Sequence, residues 1–212
     1  MALFAAAWLA FSGWRRPVVL LTLTTAAAAV ALGSLAWTGH GAADEGALGW
    51  AHLVADIIHL LAAGVWIGAL LALTMLLLRP SATLTADHII LSHRTLDGFT
   101  AVGSLVVGLI IVSGLINSWI LVGPANLAAL PTTLYGQLLI AKLVLFAGIL
   151  GLAASNRFRL TPALEASLDN GDHATAVAAL RRSLALESAI AITILAAVAW
   201  LGLLAPPASG AI

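Results

Sequence analysis

Cysteine is absent from the 212-residue chain, which excludes disulfides, thiolate metal sites, iron–sulfur clusters and cysteine nucleophiles. Methionine is nearly absent as well, and with only Met1 and Met75 there is no thioether ladder for a soft metal ion. Charged residues make up 8% of the chain, nine basic against nine acidic, so there is no electrostatic footprint for nucleic acid. No phosphate-cradling Gly-rich loop ending in Lys-Ser or Lys-Thr occurs, which leaves ATP-driven transport without a binding element. The chain reads as a non-enzyme. What it does have is apolar surface: 62% apolar residues and a mean hydropathy of +1.09. A soluble domain carries about half apolar and a quarter charged residues, so lipid rather than water is the main solvent here.

A hydrocarbon core about 30 Å thick needs roughly 20 apolar residues in a helix. Several runs of Leu, Ala, Val and Ile reach that length without the alternation that membrane strands require. The sequence therefore predicts an all-α, polytopic bundle of about five spans within a single membrane domain. The spans run from about Val18 to Trp37, Trp50 to Leu78, Leu96 to Val122, Leu134 to Ala154 and Ser183 to Leu204. Met1 to Trp14 is apolar but lacks a basic leader, and reads as an interfacial segment or part of a further helix. Between spans four and five, Thr161 to Arg182 reads as a short amphipathic helix and turn. Numbering the loops alternately collects Arg15, Arg16, Arg79, Arg94, Arg157, Arg159, Arg181 and Arg182 on one side, eight of the nine basic residues. The positive-inside rule makes that side the cytoplasm. The loop with His40, Asp44 and Glu45, the Pro124 loop and the C-terminus then face outward. Trp37 and Trp50 bracket the first outer loop at the depth of an aromatic belt.

An ionisable side chain inside a span costs about 2.5–3.5 kcal/mol on insertion scales, so each calls for a reason. His52, Asp56 and His59 stand at i, i+4 and i+7 and share one narrow stripe of the second span. Trp66 continues nearly the same stripe, while Gly64 and Gly68 form a small-xxx-small pair on another face. Imidazole and carboxylate converging from one face suit zinc, copper(II) or nickel. Asp56 lies only about 9 Å below Trp50 at about 1.5 Å per residue, within reach of water, and His40 in the preceding loop could add a nitrogen. Metal or proton handling stands here beside a structural reading, in which the imidazoles bond to lipid or a neighbouring helix and Asp56 pairs with a cation. Lys142 is the one basic group deep in a span, and a salt bridge to Asp56 is the favoured expectation; otherwise it competes for Asp56 and tunes a metal site. Glu187 is expected to pair with Arg157 or Arg181, with an inner cation waypoint as the alternative. Asn117, with Ser113 and Ser118, reads as helix glue.

Thr38-Gly39-His40 through Trp50, followed by His59-Leu60-Leu61-Ala62-Ala63-Gly64-Val65-Trp66-Ile67-Gly68, resembles the copper resistance protein D (CopD) family of bacterial inner-membrane proteins. Tyr135-Gly136-Gln137-Leu138-Leu139-Ile140-Ala141-Lys142, Asn156-Arg157, Arg181-Arg182-Ser183 with Glu187, and Pro206-Pro207 look like that family's closing helices. The likeness covers about Leu20 to Pro207. It implies copper movement across, or handling at, the inner membrane, contributing to copper resistance, often with a periplasmic partner of the CopC type. His52, Asp56 and His59, with His40, are then the copper ligands on offer, and Trp66, Lys142, Glu187 and Asn117 the supporting polar residues. Two rivals remain: a b-type haem membrane protein, and a non-transporting assembly factor for a copper oxidase. Bis-His haem needs imidazoles facing each other from two helices, whereas both embedded His here lie on one.

Overall fold

In hydrocarbon every backbone N–H and C=O must find its partner within the chain, and a continuous apolar run meets that demand as an α-helix. The computed structural model describes residues 17–38, 46–77, 86–170 and 173–209, and among them there are helices and no strand. Helix α1 (Pro17–Ser34) continues into a 3-10 turn (Leu35–Thr38) and is followed by α2 (Gly46–Leu77) and α3 (Ala86–Val122). A 3-10 stretch (Pro124–Thr132) leads into α4 (Leu134–Ser155), a π-helical turn (Asn156–Leu160), α5 (Thr161–Asn170) and α6 (His173–Leu201). Among the described residues five helical segments are long and apolar enough to cross a membrane. The Met1 to Trp14 segment, His40 and Arg79-Pro80 lie outside the described residues.

Two helices begin earlier than the apolar runs suggest. The fifth span, expected from Ser183, starts at His173. Its first turns are rich in alanine, the best helix former, and Val177, Leu180 and Leu184 bury one continuous stripe. The segment from Thr161 to Arg182 is thus a short helix followed by the opening of α6, and its amphipathic part is α5 alone. Likewise α3 begins at Ala86 rather than near Leu96. Apolar content locates the part of a helix that lipid can cover, and helices extend past it wherever propensity and packing allow.

The chain divides into two compact units, Met1–Gly64 with Leu109–Ile120, and Val65–Gly108 with Leu121–Ile212. In the first, α1 lies against α2: a Cβ at Gly64 would run into the Leu32 side chain, and one at Gly33 would sit 3.7 Å from Ile57. Gly64 therefore permits the close contact expected of it. Gly68 does not share that role, since a Cβ there would meet nothing within 4 Å. In the second unit α4 packs chiefly against α6. Val122, Tyr135, Leu139 and Leu201 form a buried cluster with Leu130, Leu138 and Leu204 against it. Gly123, with φ of +70°, lets the chain turn out of α3, and Asn126 caps the helix end by donating from Nδ2 to the Val122 carbonyl at 2.8 Å.

Large apolar side chains elsewhere point outward, among them Leu21, Leu105, Val112, Leu115 and Trp119, all more than half exposed. In water such a surface would associate, and against acyl chains it is the ordinary exterior.

Candidate metal strip and buried carboxyl

The stripe on α2 faces protein rather than lipid. His52 is 1% exposed, and Asp56 and His59 are half-buried. Within the first unit the neighbour of Asp56 and His59 is α3. Asn117 donates from Nδ2 to Asp56 Oδ1 at 3.1 Å, and Ser113 Oγ lies 3.0 Å from His59 Nδ1. Ser113 and Asn117 are one turn apart on α3, as Asp56 and His59 are nearly one turn apart on α2, so the antiparallel helices meet in two polar rungs. Such rungs inside a bilayer contribute on average about 0.6 kcal/mol each. Their larger effect is orientation.

The hydroxyl of Ser113 donates to the Leu109 carbonyl at 2.5 Å. Its proton is therefore committed within α3, and toward His59 its oxygen accepts. That arrangement favours the imidazole tautomer protonated at Nδ1, with the lone pair on Nε2. A metal-ligating histidine is characteristically held this way, by a hydrogen bond from the ring nitrogen that does not bind. Gly114 makes room for the ring: a Cβ there would stand 3.2 Å from His59 Cε1.

The strip does not close into a complete cage. Among the described residues no three His, Asp or Glu side chains come close enough to hold a metal ion together. Asp56 and His59 share a face of α2, but each turns toward its own partner on α3. His40, the fourth candidate, lies outside the described residues. Lys142 stands half-buried on α4, in the second unit.

Sequence reasoning recognised Ser113 and Asn117 as interhelical glue but not that they grip the metal candidates. The face of α3 that meets α2 is a tertiary fact. The available signal was their i, i+4 spacing, which matches the polar spacing on α2.

In the second unit the expectation for Glu187 is corrected. The side chain is 2% exposed, and its carboxylate accepts a hydrogen bond from Asn156 Nδ2 instead of pairing with an arginine. Arg157 donates to Ser104 Oγ at 2.9 Å, with its guanidinium 5.0 Å above the Phe158 ring, and Arg181 Nε donates to the Leu77 carbonyl. Arg157 lies in the π-helical turn at Asn156–Leu160, which rotates side chains out of the regular α-helical register, while Arg181 on α6 reaches the end of α2. Trp66, 9% exposed, lines a cavity in this unit together with Asn156 and Glu187.

Comparisons with known proteins agree on one family. The family described as Copper resistance protein D matches residues 93–201, and the one described as Copper resistance protein D-like, N-terminal domain, matches residues 1–50. The chain is 43% identical over 202 residues to a Copper resistance protein D of Pseudomonas syringae pv. tomato, covering 95% of this chain and 64% of that protein. It is 30% identical over 156 residues to Inner membrane protein YebZ of Escherichia coli K12, covering 72% of this chain and 49% of that protein. With Copper transport protein CutJ of Bacillus subtilis it shares 33% identity over 124 residues, covering 56% of this chain and 21% of that protein. The chain thus spans less than two thirds of the length of each of these relatives. No solved structure matches it.

Proposed function

The chain belongs to the copper resistance protein D family, and on that premise we propose that it moves copper through, or hands it over at, a bacterial inner membrane. His52, Asp56 and His59 are its docking strip, with His40 completing the ligand set from the preceding loop. The observation that carries this reading is the pair of rungs from α3, which hold the His59 ring with its lone pair on Nε2 and fix the Asp56 carboxylate beside it. Copper is cargo here rather than a resident cofactor. A strip with fewer close ligands than a permanent site suits an ion that has to leave again, since conduction needs binding strong enough to enter and weak enough to release. The Arg-bearing loops face the cytoplasm and the strip faces the periplasm, where a CopC-type copper-binding protein is the fitting donor or acceptor.

The test is copper retention by the purified full chain after dialysis in detergent micelles. One equivalent is expected. The Ser113→Ala variant, which takes away the acceptor for His59 Nδ1, should bind copper about tenfold more weakly, the lower end of what outer-shell losses cost. Gly114→Ala should weaken binding about threefold, because crowding the ring off its rotamer costs about 0.5–1.5 kcal/mol. A Soret band with no retained copper would replace this reading with the haem one.

A further inference from the structure

The second unit carries a partly open cavity of about 330 Å³, lined mostly by Leu, Ala and Phe side chains. At its wall sits the carboxyl of Glu187, on the buried stripe of α6 that also carries Leu180 and Leu184. Its hydrogen-bond partner Asn156 is 8% exposed and opens the π-helical turn, a distortion found frequently at functional sites. Two further buried atoms on this wall, Asn156 Oδ1 and Trp66 Nε1, have no hydrogen-bond partner among the described residues. One is an acceptor and the other a donor, and the cavity beside them has room for water.

A carboxylate inside a membrane span has to be neutralised by a basic side chain, a bound cation or a proton. Among the described residues the cavity presents one other charged group, Arg157, at its exposed edge and bonded to Ser104. Among the described side chains the other elements lining it offer no titratable group toward Glu187: Trp66, Leu70 and Leu73 come from α2, Leu96, Phe99 and Ser104 from α3, and Leu150 from α4. On α6 itself Arg181 is turned to the Leu77 carbonyl.

We propose that Glu187, held by Asn156, is a proton-exchange site fed by water in this cavity, and that its proton moves in exchange for copper. The second half rests on the copper reading above. In the exchange a hydronium ion gives a proton to the carboxylate, an O–H bond forming on Glu187 as one breaks on the donor, which leaves water; release is the reverse. Asn156 is a positioning residue, giving the carboxylate one donor without neutralising it.

The experiment uses the full chain in liposomes of phosphatidylethanolamine and phosphatidylglycerol. In infrared difference spectra on acidification, wild type should show a protonated-carboxyl carbonyl band that Glu187→Gln abolishes, Glu187→Asp keeps at a shifted frequency, and Asn156→Leu moves to a different pH midpoint. A spectrum unchanged in Glu187→Gln overturns the site. If Glu187→Gln does not fold, the shift in Glu187→Asp decides, and an unshifted band overturns it. In the same liposomes an inward copper gradient should drive protons outward, and Glu187→Asp should alter the ratio of protons to copper. Copper flux without proton movement overturns the exchange. No copper flux in wild type overturns the transport reading, and the infrared result still decides the proton site.

Discussion

Cells producing the His52→Ala, His59→Ala double variant at matched expression should hold the same copper as cells lacking the chain, whereas wild type shifts that level. Two imidazoles are lost at once, and losing only an outer-shell partner of a metal ligand costs about tenfold to a hundredfold in affinity. Removing the ligands themselves should cost more than a hundredfold. The fold should tolerate the change better than the site does. His59 contributes one rung to the α2–α3 contact, of the order of 0.6 kcal/mol, although emptying the His52 position adds a cavity cost because that side chain is buried. His173→Ala is the control: its Nδ1 lies 3.1 Å from Ser167 Oγ in the α5–α6 region of the other unit, a local structural bond. Copper accumulation unchanged in the double variant, measured by elemental analysis of washed cells, would take the strip out of the path.

Gly136→Ala should be among the most destabilising single-methyl additions in the chain, by about 3 kcal/mol or more, the upper range of overpacking costs. Thr133 caps α4 by accepting from the Gly136 N–H at 3.2 Å, and that cap brings the first turn of α4 onto the 3-10 stretch. A Cβ at Gly136 would fall on the Leu130 carbonyl and Cα, which are backbone atoms with no rotamer to yield. The same Leu130 carbonyl accepts the Thr133 N–H at 3.4 Å, so moving it also loosens the cap. Gly64→Ala is a graded comparison. Its Cβ meets only the end of the Leu32 side chain, which can rotate, and about 1 kcal/mol is expected. Gly68→Ala, with open space around the Cβ, should be neutral or slightly stabilising through the lost chain entropy of glycine. Thermal unfolding in detergent should rank the three in that order, and equal melting of Gly136→Ala and Gly68→Ala would refute the packing described at the start of α4.

The helices were legible because lipid leaves a chain so few options. Runs such as Leu138 to Leu152 can be nothing but helix in hydrocarbon, and the structure has them helical. Their ends were less legible, since Ala86 and His173 begin helices in segments too polar to be called spans. The shared face of His52, Asp56 and His59 follows from the 3.6-residue period alone. What holds Asp56 and His59 does not, because it depends on which side of α3 meets α2, and nothing in a single polar spacing sets that. Glu187 shows the limit of charge-pairing arguments. Arg157 and Arg181 were the natural counter-ions by sequence distance, but a π-helical turn put Asn156 against the carboxylate, and a regular helical wheel cannot foresee that insertion.

The most direct test of the copper strip is X-ray absorption at the copper edge on the metal-loaded full chain. The account predicts imidazole back-scattering from three histidines, His40, His52 and His59, in wild type, reduced by about a third in His59→Ala and to at most one imidazole in the His52→Ala, His59→Ala variant. An identical imidazole signature in wild type and the double variant would contradict it, because copper would then be bound by histidines elsewhere in the chain.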